Sequence, residues 1–174
     1  MHDQAKASQL AQEGMALWGK AELEVAAQKT EEAITLVDPN HWEVPVYHSR
    51  LAGIYAQAGQ NDKAKPHYEK ALLLHLQDGE TEGGITVITS RYFLAMHLVE
   101  MNLANEALKV LQPSLQAAPV QWLNCIANAH ILHALRRFSE AKDAAQLAIK
   151  YAPSLVKAEQ LTENLKVIFS DENV

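Results

Sequence analysis

Apolar positions along this chain recur three and four residues apart, and short polar stretches holding Gly or Pro interrupt them, which predicts a series of amphipathic helices. The stretch LAGIYAQAGQNDKAKPHYEKAL, from Leu51 to Leu72, carries two such apolar bands, cut by Gly59 and a polar tract. Small residues stand at Ala52, Ala64 and Ala71, large ones at Leu51, Tyr55 and Tyr68. Two antiparallel helices approach closely only where small side chains meet, with large side chains filling the space beside the crossing. Gly59 permits the tight reversal between them, because glycine takes a positive φ without a Cβ penalty.

The same offsets recur along the chain. From Leu94 and Ala95 they give Leu98, Asn102, Ala107, Leu111, Ser114 and Pro119; from Ala129 they give Leu132, Arg136, Ala141, Ala145, Ala148 and Pro153. A weaker copy runs from Gly14 through Leu17, Ala26, Thr30 and Ala33, with Pro39 one place late. Pro119 and Pro153 are expected to end the second helix of their hairpins. Pro113 is expected to interrupt the ladder inside its helix, and Pro66, near a helix start, to cost less. Two linkers lengthen the period: VDPNHWEVP (Val37–Pro45) and the acidic, Gly-rich QDGETEGG (Gln77–Gly84). The second reads as tolerated surface slack or as a loop that carries function. After Pro153, Leu155, Ala158, Leu161, Leu165 and Ile168 fall on one helical face, with Ser154 as N-cap, which predicts a helix covering the end of the array.

Composition narrows the class. The 174 residues are Ala-rich and only 6% aromatic, favouring helix over strand, and are enough for one sizeable core. A net charge of −6 lacks the basic footprint that nucleic-acid binding needs. No apolar run approaches a membrane span, and the polar N-terminus does not read as a secretion signal. A single cysteine, Cys125, excludes an intramolecular disulfide or cysteine-cluster zinc site, and a reducing, cytoplasmic home is expected.

The offsets resemble the tetratricopeptide repeat, with its W-x2-L-G-x2-Y, A-x3-F and final P, over nearly the whole chain. The resemblance implies an all-α, right-handed α-solenoid of about four helical hairpins with a C-terminal capping helix. It would form one domain over residues 1–174, with repeats near 5–38, 45–78, 86–119 and 120–153 and the cap at 154–170. In that family the first helix of each repeat lines a concave surface. Transferred by register, the partner-binding groove would hold Met15 and Trp18, then Ser49, Arg50, Gly53 and Gln57, then Tyr92, Met96 and Glu100, then His130 and His133. Gly53 would let a ligand backbone approach closely, and Met and aromatic residues suit an apolar or amphipathic helix. The family's carboxylate clamp is not expected, because no Lys occupies the matching positions, although Arg50 and Arg91 could each meet an acidic group on a partner.

Catalytic constellations are missing from the sequence: there is no Gly-rich phosphate loop, no G-x-S-x-G and no H-E-x-x-H. Among eight histidines, His130 and His133 have a spacing that allows two metal ligands, but no third ligand is evident, so neither metal nor cofactor is expected. The sequence thus points to a non-catalytic module, bacterial and cytoplasmic, that binds a peptide, helix or protein partner in its groove as a monomer or weak homo-oligomer. A dedicated chaperone or antitoxin-like neutraliser of one effector, and a subunit of a larger scaffold, remain as alternatives; the acidic charge suits a basic client of the former.

Overall fold

Ten helices and no strand form among the described residues, 2–170, of the computed structural model. They are α1 (Gln4–Gly19), α2 (Leu23–Leu36), α3 (Val44–Gln57), α4 (Asn61–Gln77), α5 (Ile85–Glu100), α6 (Ala104–Ala117), α7 (Trp122–Ala134), α8 (Phe138–Lys150), α9 (Leu155–Asn164) and α10 (Lys166–Ser170). The chain divides after Gly79 into two compact units, α1–α4 and α5–α10. Within each, a helix packs chiefly on its neighbour in sequence: α1 on α2, α3 on α4, α5 on α6 and α7 on α8.

One turn geometry closes all four of these hairpins. The residue seven places after each small anchor has positive φ: Ala21 (61°), Gly59 (71°), Asn102 (60°) and Arg136 (62°). The next N–H then bonds back to a carbonyl five residues earlier, Glu22 to Leu17, Gln60 to Tyr55, Leu103 to Leu98 and Arg137 to Leu132, at 2.8–3.0 Å. These are Schellman turns, which satisfy carbonyls that a helix end would otherwise orphan. Only one of the four uses glycine, so the other three carry the steric cost of a left-handed L residue. Arg136→Gly is therefore expected to stabilise the protein by about 1 kcal/mol, the relieved penalty less the extra chain entropy of glycine. A urea midpoint that failed to rise would show that the turn is relaxed around arginine.

The crossings are built as the offsets predict. Ala26, Ala64, Ala107 and Ala141 are all fully buried, as are Ala52, Ala95 and Ala129 on the facing helices. In unit 1 a core of Leu10, Val37, Val44 and Tyr47 gathers with Ala7, Ala11 and Ala33. Glu43 ties the Val37–Pro45 linker to α1, its Oε2 accepting from Gln4 Nε2 (3.0 Å), Tyr47 OH (3.0 Å) and Ser8 Oγ (3.3 Å). In unit 2 the Asn124 amide donates to the carbonyls of Ser114 (2.9 Å) and Ala118 (3.0 Å), stitching the end of α6 to the start of α7.

Pro119 and Pro153 follow the ends of α6 and α8, and Pro66 and Pro113 lie inside α4 and α6. Ser154 caps α9, its hydroxyl accepting from Lys157 N at 3.1 Å. The C-terminal segment corrects the sequence reading in one respect. It is two helices rather than one, broken at Leu165, and Leu155 is 85% exposed instead of facing the core. The break re-aims the chain so that Leu161, Leu165 and Ile168 all reach the unit 2 core, while Leu155, in the first turn, overhangs it.

Candidate interaction surface

In unit 1 the expected binding residues lie on α1 and α3. Met15 is exposed, Ser49 and Arg50 are half-buried, and Gln57 is exposed at the end of α3. Trp18 does not stand open beside Gly53; it covers it. A Cβ at position 53 would lie 2.7 Å from Trp18 Cη2 and 2.9 Å from Cζ2, so the ring keeps this position only over a glycine and would have to shift for any other residue. The indole N–H donates to Gln57 Oε1 at 2.6 Å and fixes that pose. The expectation that Gly53 offers its backbone to a ligand is thereby corrected: the protein's own indole fills that slot. What α1 and α3 present there is a half-buried aromatic face beside an exposed methionine.

In unit 2 the set lies on α5 and α7. Tyr92 is half-buried, packs against the core around Cys125 and Ile126, and meets Phe93 edge-on with centroids 5.3 Å apart. Its burial pushes the phenol above its usual range. Met96 is half-buried and Glu100 exposed. His130 and His133 are both half-buried on α7; burial, then the neighbouring His133, lowers the His130 pKa, so its imidazole is neutral at pH 7. His133 packs edge-on to Phe138 at 5.4 Å. Among the described residues no group of three or more His, Cys, Asp or Glu is placed to hold a metal ion.

Arg91 is the clearest departure. Expected at the groove edge and free for a partner, it is 8% exposed and committed within unit 2. Its Nε and Nη2 donate to the two carboxylate oxygens of Glu82 (2.6 and 2.5 Å), and Nη1 donates to the Val110 carbonyl (2.7 Å). A second polar group that spacing alone did not reveal joins α2, α3 and α4. Tyr55 OH donates to Glu31, the Tyr55 and His67 rings stack, and His67 Nδ1 lies 2.8 Å from His48 Nδ1. The surplus of histidine was the available signal, but a 19-residue separation has no helical meaning and conceals a contact between two helices.

Residues 47–75 match the tetratricopeptide repeat family. No curated protein matches the sequence. Among solved structures, the chain is similar to "Crystal structure of BtubC (BKLC) from P. vanneervenii", with a TM-score of 0.74 at 18% identity over 95% of this chain and 72% of that one. It is similar to "MamA 41-end from Desulfovibrio magneticus RS-1", with a TM-score of 0.66 at 15% identity over 97% and 98%. A third, "MamA RS-1 ArsTM double mutant", has a TM-score of 0.66 at 18% identity over 95% and 86%. At these identities the likeness shows the fold: an all-α helical-repeat fold of the solenoid class. No helix among the described residues is long and apolar enough to cross a membrane.

Proposed function

Because this chain carries tetratricopeptide repeats in an all-α fold of successive helical hairpins, we propose that it is a non-catalytic adaptor that captures a protein or peptide partner on the outward faces of α1, α3, α5 and α7. The observation that carries this reading is the character of those faces. They hold Met15, Trp18, Tyr92, Met96 and His130, apolar or neutral side chains left half-buried or exposed on helices whose opposite faces build the cores. Half-buried aromatics and methionine are the side chains that anchor an amphipathic helix. The partner is met in the cytoplasm, as the single cysteine, Cys125, suits.

The experiment is capture from a lysate of the source organism by the parent and by Tyr92→Ala/His130→Ala. Circular dichroism melting is run beside it, since Tyr92 also touches the core. Loss of one abundant retained protein, at an unchanged helical content, is the expected result. An identical set of retained proteins from both baits would remove the α5 and α7 faces from the binding surface.

A further inference from the structure

Unit 1 contains a cavity of about 720 Å³ at the edge where the α3–α4 turn meets α2, lined among others by Leu23, Glu24, Ala27, Glu31, Tyr55 and Lys63. Its lining combines small apolar side chains, Ala27 and Ala58, with two carboxylates, Glu24 and Glu31, and a tyrosine ring. Lys63 Nζ sits 5.0 Å from the centroid of that ring, a cation–π contact made by a side chain from the protein itself. Tyr55 is held in place because its hydroxyl donates to Glu31. Burial, then Glu31, pushes its pKa up to about 12, so it stays a neutral donor.

Unit 2 repeats this architecture with different chemistry. A cavity of about 340 Å³ is lined by Leu108, Gln112, Leu132, Arg137 and Glu140, which stand at the register positions of Ala27, Glu31, Tyr55, Gln60 and Lys63. There the cation is tied down: Arg137 Nε and Nη2 donate to the two oxygens of Glu140 at 2.7 and 2.5 Å. In unit 1 the ring replaces Leu132, a carboxylate replaces Gln112, and two carboxylates face one ammonium.

We propose that the unit 1 cavity seats an arginine side chain of a partner protein, in the place that Lys63 now holds over Tyr55. A guanidinium stacks on a ring and bonds a carboxylate through two parallel N–H groups, which an ammonium cannot do, so arginine displaces the tethered lysine. The excess of carboxylate in the seat, in a chain of net charge −6, supplies the attraction. The seat rests on the partner-binding reading above and adds to it a second contact point and the chemistry that this point selects.

The probe is acetyl-Gly-Arg-Gly-amide, titrated into the full chain while the backbone amide signals of α2 and α3 are followed by NMR. The same peptide with citrulline, the uncharged isostere of arginine, is the control. The arginine peptide is expected to move the Glu31 and Tyr55 signals saturably and the citrulline peptide to leave them in place. Glu31→Gln keeps an acceptor for the Tyr55 hydroxyl, so the fold is preserved, and should weaken binding about tenfold, the scale of one charge-assisted contact. Lys63→Met, which vacates the seat, should tighten it about threefold, the scale of an exposed cation–π contact. Equal shifts with both peptides, an affinity indifferent to Glu31→Gln, or weaker binding to Lys63→Met would each overturn the proposal. No partner is present in this titration, so its failure would leave the Tyr92/His130 capture experiment standing, and the reverse also holds.

Discussion

Glu82→Ala is expected to destabilise the protein by about 3 kcal/mol, measured as a fall in the urea unfolding free energy at pH 7. Arg91 is buried, and Glu82 supplies two of the three acceptors its guanidinium meets. Removing the carboxylate leaves a desolvated cation with only the Val110 carbonyl, and breaking a buried pair this way costs on the order of 3–5 kcal/mol. The lower end applies because the Glu82 side chain is 34% exposed, so water partly replaces it. Arg91→Met/Glu82→Leu should recover most of the loss, since well-packed apolar side chains match a buried ion pair in stability. A single mutant within about 0.5 kcal/mol of the parent, the range of ordinary surface substitutions, would show that the pair is dispensable. The acidic loop before α5 is therefore fastened at Glu82 and does not behave as slack.

The second large effect is acid sensitivity in unit 1. His48 Nδ1 and His67 Nδ1 lie 2.8 Å apart, so one ring donates and the other accepts, an arrangement that works only while at least one imidazole is neutral. Burial, then His67 and Lys70, lowers the His48 pKa to about 4; burial also lowers that of His67, against the pull of Glu31. Both folded-state values lie below the ordinary 6.5, so below that pH the unfolded chain binds more protons than the folded one. Stability is thus complete above about pH 6.5 and falls as the pH drops toward 4. Each pKa unit corresponds to about 1.4 kcal/mol, and solvent screening of these half-buried rings reduces the loss to about 1–2 kcal/mol by pH 5. Urea unfolding at pH 7 and pH 5 checks this, above the range where carboxylates titrate. His48→Gln should flatten the dependence, and a parent and variant with parallel pH profiles would rule the histidine pair out as its source.

The hairpins were legible in the sequence because their constraint is steric and local. A helix crossing at Ala52 and Ala64 tolerates almost nothing larger, and that demand returns at Ala95 and Ala107 and at Ala129 and Ala141. The turns were only half legible. Gly59 announced itself, whereas Ala21 and Arg136 reach the same positive φ because the surrounding helices impose it on residues with no preference for it. The binding faces were legible as helix faces but not as contents. Register places Trp18 and Gly53 on neighbouring helices, yet nothing in the spacing says that one fills the other, because that contact depends on a rotamer and on two residues 35 positions apart. Arg91 was misread for a different reason. Charge reads as exposure, and the partner that allows its burial sits in a loop with no periodicity.

The pairing of each helix with its neighbour in sequence also governs how the chain comes into being. At a synthesis rate of about 5–20 residues per second, the two helices of a hairpin emerge within seconds of each other. Every fully enclosed residue of the Leu10–Tyr47 core lies in the first 47 positions, and Leu74 of α4, which packs against it, follows 27 residues later, so that core is assembled while much of the chain is still unmade. Loop closures this short put folding in the microsecond-to-millisecond range, faster than the next codon is read. Unit 1 would then meet the cell as a folded body, its Tyr55 cavity already formed, before the last helices leave the ribosome.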